Sequence, residues 1–317
     1  MQEGHNKVQL DKFDDEINLQ ELFNILWQGK WIIVSLTAFA SIIGVTYSLS
    51  LPNIYQSKAL LAPSSTSSGI SGALQSYSGL AGLAGISLPS EGDEGNSAKA
   101  IKKVTSLSFF EKNILANIYL PDLMAVKSWN PETNMVIFDE SIYNKESNTW
   151  VRDHSYPQKK IPSAQESFEV FRIKHLSLSV DKKSGFSTLS IKHQSPFVAK
   201  QWAELVVNQI NDFYRQKDKA EAEKGVNYLN QQISMTSLSE IKFVLAQLLQ
   251  EETKKLTLIE ANKYYVFDYI DPPAVMERKL EPSRAYISIL SAILGGMLSI
   301  LLVFIRHYVF SKKLHKL

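Results

Sequence analysis

Two stretches depart from the mixed apolar and polar pattern of the rest of this chain. Residues 31–51 (WIIVSLTAFASIIGVTYSLSL) and 285–305 (AYISILSAILGGMLSILLVFI) each run for 21 residues without a formal charge. As helices they would each reach about 31 Å, the thickness of a bilayer's hydrocarbon core. Trp27, Lys30 and Trp31 stand at the start of the first, and Arg306, His307 and Tyr308 follow the second, as interfacial anchors do. Two transmembrane helices are therefore predicted. The small-x-small pair Ser48 and Ser50 invites a signal-peptide reading. The preceding segment is too long and too acidic for that, and the apolar run exceeds an ordinary signal core.

Small residues recur at four-residue spacing in both spans: Ala40, Gly44 and Ser48 in the first, and Ser288, Ala292 and Gly296, with Gly295 beside it, in the second. Such faces let helix backbones approach closely in lipid. The pattern does not say whether the partner helix belongs to the same chain or to a neighbour.

The long segment between the spans mixes both periods. NIYQSKALLA after Pro52 reads as a strand. A Gly/Ser-rich stretch follows, in which Gly79, Gly82 and Gly85 are each followed by Leu or Ile. It matches no phosphate-binding loop and reads as a flexible loop whose leucines offer a packing surface. Residues 98–117 predict a helix through Ile101, Val104, Phe110 and Ile114, and 135–138 a short strand. Residues 168–180 and 186–193 alternate well enough to predict a β pair across Asp181–Gly185.

Ser195-Pro196 then offers a cap and a first-turn proline. Trp202, Leu205, Leu229, Ile233, Ile241, Leu245 and Leu248 continue at helical spacing. Unbroken over 196–262, this helix would measure about 100 Å. Gly225 and the SMTSLS patch are the places for a bend or break. A rod of that length cannot hide its stripe in one small domain, so side-by-side association of identical chains is predicted. YYVFDYI then returns as a strand toward the second span.

The intervening DPPAVMERKLEPSR couples Pro272, Pro273 and Pro282 to Arg278, Lys279 and Arg284. Proline ends the strand without starting a helix, and Arg284 is placed to reach lipid phosphates. The segment reads as a stiff joint to the membrane. Its three cations are expected to tether, with contact to a glycan or polymerase as the alternative.

Composition narrows the function. With 34 basic and 32 acidic residues there is no nucleic-acid signature, and without cysteine no disulfide or thiolate chemistry. The six histidines show no metal-ligand spacing, and His175 and His193 read as a solvated cross-strand pair. No nucleophile elbow, acylation motif or paired-carboxylate context stands out, so no enzyme, cofactor or metal is predicted.

Several segments together carry a resemblance: INLQELFNILWQGKW into the first span, NIYQSKALLAP after it, LAGLAGI, PSAQESFEVF, SPFVAKQWAELVVNQIN, and IDPPAVMERKLEPSR. They resemble the Wzz-type chain length determinants, or polysaccharide co-polymerases, over essentially the whole chain. The chain departs from that family's pattern at Val275-Met276, where a further proline is common. Some relatives continue into a tyrosine kinase, which the short tail RHYVFSKKLHKL does not provide.

The resemblance implies an α+β inner-membrane protein, with a periplasmic α/β base domain and a long helical arm. The expected division is 1–30 cytoplasmic, 31–51 span, 52–284 periplasmic, 285–305 span and 306–317 cytoplasmic. It further implies ring-shaped homo-oligomers that set polysaccharide length for a Wzy-dependent polymerase, with a lipid-linked glycan nearby. A two-span adaptor or sensor is the alternative, its basic tail (Lys312, Lys313, Lys316) recruiting a separate kinase.

Overall fold

An uncharged run in lipid must satisfy its own backbone, and both such runs are helical. The computed structural model describes residues 19–64 and 96–314. The Gly79/Gly82/Gly85 stretch and the side chains of Lys312, Lys313 and Lys316 lie outside what is described. One compact unit holds the helices before Leu51 and after Pro282, and the other runs from Pro52 to Glu281.

The chain opens with α1 (Leu19–Gln28) and α2 (Lys30–Ser50), then β1 (Tyr55–Pro63) and α3 (Asn96–Val104). Short helical turns over 107–117 lead to α4 (Leu120–Met124) and two small hairpins, β2 (Val126–Asn130) with β3 (Met135–Phe138) and β4 (Tyr143–Asn144) with β5 (Thr149–Trp150). Helix α5 (Ala164–Val170) widens into a π-turn over Phe171–His175 before β6 (Leu176–Val180) and β7 (Ser187–His193). Two long helices, α6 (Pro196–Met235) and α7 (Ser239–Ala261), precede β8 (Phe267–Asp271) and α8 (Arg284–Leu314).

The larger unit is built on a four-stranded antiparallel sheet in the order β6–β7–β1–β8. Alternation sets its faces: Ser57, Ala59 and Leu61 of β1 are buried, and Lys58 between them is exposed. Helix α6 packs on β1 and β7 through Ala199, Trp202, Ala203, Val206, Val207 and Ile210, all buried. Its start follows the sequence expectation, with Pro196 in the first turn and the Ser195 hydroxyl accepting from the Val198 amide.

Three expectations are corrected. The helix predicted over 98–117 breaks at Thr105–Ser106, where the Ser106 hydroxyl accepts from the Phe109 amide and caps a new turn. That break brings Phe109, Phe110 and Ile114 fully into the core.

The strand predicted over 168–180 is helical as far as His175. Ser163 caps the helix at the Glu166 amide, and Arg152 grips the Glu166 carboxylate, one guanidinium contact being 2.8 Å. Ser167, Phe168 and Phe171 then face the core at helical spacing, an arrangement that alternation of Phe, Val and Ile conceals.

The 196–262 run is not one rod: it breaks inside the SMTSLS patch named as a break point, at Thr236–Leu238, and stays helical through Gly225, giving two helices that pack against each other. Lys219 pairs with Glu260, and a Cβ on Gly225 would sit 3.5 Å from the Glu252 side chain, so the helices run antiparallel. With the reversal Leu229 of α6 and Ile259 of α7 are both buried, which a straight rod could not achieve alone. Cysteines at Gly225 and Glu252, introduced into this cysteine-free chain, are expected to form an intrachain disulfide. In a straight rod they would stand about 40 Å apart. Mobility on a non-reducing gel decides it: a monomer with no disulfide would contradict the hairpin.

Candidate functional site

The smaller unit is organised by close approach of its two span helices. A Cβ on Gly295 would lie 2.4 Å from the Ala40 Cβ, and one on Gly44 would lie 2.5 Å from the Ser291 Cβ. The pairs Gly44–Ser291, Ala40–Gly295 and Gly29–Val303 run in opposite directions along α2 and α8, so the helices are antiparallel partners within one chain. Ser48 is buried with Gly44, while Ser288, Ala292 and Gly296 are half-buried at the flank of the contact. Sequence spacing missed Thr37, Ser291, buried Ser299 and Val303. A three-residue step from Ser288 through Ser291 would have found the second of these.

The proline-rich segment stays laced to the start of the sheet. Beyond β8, the Ser57 hydroxyl donates to the Ala274 carbonyl at 2.8 Å. Ile54 and Glu281 form a bridge, and the Leu280 amide donates to the Ile54 carbonyl at 2.8 Å. Lys192 pairs with Glu281 at 2.6 Å, and Lys279 donates to the Asn53 amide oxygen at 3.1 Å. Pro273 is buried, Pro272 and Arg278 are exposed, and Pro282 and Arg284 are half-buried. The prolines therefore end β8 while hydrogen bonds carry the chain alongside β1, so the stiffness expected from sequence has a second, non-local source.

Of the arm residues predicted from the stripe, Trp202 belongs to the sheet core, and Leu229 is buried between α6 and α7. Leu205, Ile233 and Leu245 are half-buried, whereas Ile241 and Leu248 are exposed. Near the turn, Met235, Leu238, Phe243 and Val244 are exposed as well.

His175 and His193 are not a solvated cross-strand pair. Only His193 is on a strand, and both rings pack against Trp202, with centroids 5.4 and 5.1 Å away. The Ser195 amide donates to His193 Nδ1, so Nε2–H donates to the Asp122 carbonyl at 2.9 Å. His175 Nδ1–H donates to the Lys192 carbonyl at 2.7 Å.

Burial pushes both imidazoles down to about 4, and His193 adds to the effect on His175. Because the folded values lie below the unfolded one, the unfolded chain binds more protons between about pH 6.5 and 4. Stability from these neutral rings is complete above that window and is lost as pH falls through it. A lower urea midpoint is expected at about pH 5 than at about pH 7.5, with the difference reduced in His175→Phe. Equal midpoints would remove the pair as an acid-sensitive element.

A buried amide clamps the base of the hairpin. The Asn211 carbonyl oxygen accepts from the Val266 and Phe267 amides at 2.8 and 2.9 Å, and its amide donates to the Phe267 carbonyl at 3.0 Å. Tyr265 donates to Asp218 at 2.7 Å, and burial pushes its phenol up. No group of three or more potential metal-ligating side chains occurs among the described residues.

An apolar antiparallel helix pair and a sheet carrying a helical hairpin make up this chain. Residues 15–114 match the family model of Wzz, the chain length determinant protein. A full-length bacterial polysaccharide co-polymerase of known structure is similar over 93% of this chain and 99% of its own, at 15% identity and a TM-score of 0.38. A fragment of WzzB, a polysaccharide co-polymerase from Salmonella Typhimurium, is similar over 72% of this chain and 100% of its own, at 11% identity and a TM-score of 0.33. No curated protein matches significantly.

Proposed function

We propose that this protein is a non-enzymatic regulator of polysaccharide chain length in a bacterial inner membrane. The observation that carries the reading is the chain length determinant match over 15–114, which takes in the first span and β1. In this reading both termini are cytoplasmic, the unit from Pro52 to Glu281 is periplasmic, and α2 and α8 form the anchor. The segment from Pro272 to Arg284 is the covalent connection from the sheet to that anchor, and in this reading its cations meet a lipid-linked glycan.

Identical copies assemble as a ring that holds a Wzy-dependent polymerase making O-antigen, capsule or exopolysaccharide, and so limit extension. The exposed Met235, Leu238, Ile241, Phe243, Val244 and Leu248 support association between copies, since the hairpin leaves them uncovered. Polysaccharide profiles on gels, from cells with and without the protein, test the proposal. Loss of a modal length on deletion, restored by the full chain, is the expected result. An unchanged distribution rejects it, and a change in amount at constant modal length points to an adaptor in export.

A further inference from the structure

One concavity in the larger unit belongs neither to its core nor to the hairpin contact. It has a volume of about 260 Å³ and is lined by Asn208, Asn211, Asp212 and Arg215 of α6, and by Lys263 and Tyr264 of the connection to β8. Its back wall is held in place before any ligand arrives. Asn211 spends its three hydrogen bonds on Val266 and Phe267. Ser64 adds two more, its amide donating to the Val266 carbonyl at 2.8 Å and its hydroxyl to the Tyr264 carbonyl at 3.0 Å. A wall fixed in this way loses little conformational freedom on binding.

The rim, in contrast, has unused hydrogen-bonding capacity. Asn208 is exposed, and its amide has no partner among the described residues. Lys263 is exposed and has no ion pair among them; its ammonium lies 5.3 Å from the Tyr264 ring centre. Arg215 uses one nitrogen on Asp212 at 2.9 Å, so most of its guanidinium N–H groups remain. Tyr264 meets Tyr269 edge-on at 5.7 Å, and the Tyr269 hydroxyl is buried without a hydrogen-bond partner among the described residues. Two cations against one carboxylate leave the concavity positive.

This set suits one chemical class. Planar amide, carboxylate and guanidinium groups side by side match neighbouring hydroxyls, a guanidinium with an ammonium takes a carboxylate, and an aromatic ring covers a C–H face. A bare phosphate would use the cations and the Asn208 amide but not the Tyr264 ring, and it offers Asp212 no hydroxyl donors, whereas an acidic sugar engages all of these groups. The volume falls just below that of drug-sized pockets, which suits one or two sugar rings and no longer segment.

We infer that this concavity is a subsite for an acidic sugar of the polysaccharide, its carboxylate between Arg215 and Lys263 and its hydroxyls on Asn208 and Asp212. The inference rests on the chain-length reading, from which it takes the polysaccharide as partner.

Binding by the full chain in detergent tests it, with a tetrasaccharide of alternating glucuronate and N-acetylglucosamine as probe and maltotetraose as neutral control. The acidic probe is expected to bind more tightly than the neutral one. Lys263→Gln should weaken it about tenfold, the loss of one charge-assisted hydrogen bond. Asn208→Ala should weaken it severalfold, and because both positions are exposed neither should move the thermal midpoint. Equal binding of the two probes, no binding of either, or indifference to both substitutions would overturn the subsite. If the protein sets a modal length in cells and neither probe binds, the subsite alone fails. If deletion leaves polysaccharide length unchanged, the chain-length reading fails whatever the probe does.

Discussion

Replacing Gly295 with leucine is expected to force apart the two membrane helices and to deplete the protein from the membrane fraction. A Cβ there would lie 2.4 Å from the Ala40 Cβ and 3.5 Å from the Thr37 Cα. Neither atom can rotate away, so one helix must shift, and three further carbons of leucine enlarge the shift. Overpacking of this kind costs about 1–3 kcal/mol in well-packed cores, and a backbone contact lies at the upper end. Gly296 provides the control, because a Cβ there meets only the Thr37 hydroxyl at 3.8 Å. Gly296→Ala should accumulate normally and keep its thermal midpoint in detergent, while Gly295→Leu should not. Indistinguishable behaviour of the two would show that the helices do not rely on this contact. If the protein regulates polysaccharide length, the Gly295→Leu profile should approach that of the deletion.

Asn211→Leu should produce the second large effect, in the other unit. Leucine has nearly the same size but makes none of the three hydrogen bonds to Val266 and Phe267. Two amides and a carbonyl are then buried without partners, each costing about 1–3 kcal/mol. Even the lower half of that sum, about 3–5 kcal/mol, is a large share of the stability of a domain this size. The thermal midpoint should fall by about 6–20 °C. Asn208→Leu, one turn earlier on the exposed side of α6, should leave the midpoint within about 2 °C. A similar fall in both would show that the loss comes from helix propensity and not from the clamp.

The parts legible in sequence are those whose signal is local. The spans follow from uncharged runs of membrane length, the α6 start from Ser195-Pro196, and β1 from its bounded apolar pattern. Of the small residues read as one face of the first span, Ala40 and Gly44 lie against α8 and Ser48 is buried. What failed shares a different cause. FEVFRIKH satisfies a strand period and a helix period together, and only the Ser163 cap with the Arg152–Glu166 pair selects the helix. Arg152 lies in a loop 14 residues before Glu166, too far for a periodicity window to register.

The hairpin is the sharper case. Thr236, Ser237 and Leu238 contain no glycine or proline, and the apolar stripe crosses them almost in phase. The sequence marks this SMTSLS patch as a place for a break but not for a reversal; what selects the reversal is the burial of Leu229 and Ile259 and the pairing of Lys219 with Glu260, contacts that exist only once the chain has turned back. The same holds for His175 and His193, whose spacing suggested a wet pair until Trp202 of α6 closed over both.

By itself, then, the sequence of this protein determined which residues form the two spans, where α6 is capped, and where prolines end β8. Those outcomes depend on backbone period, charge and φ restriction, all set within a few residues. Tertiary structure decided what each segment faces: α2 against α8, α7 folded onto α6, and the segment after Pro273 laced along β1. Burial and hydrogen bonding between distant segments are properties of the closed chain, and a one-dimensional pattern names the sticky face without naming its partner.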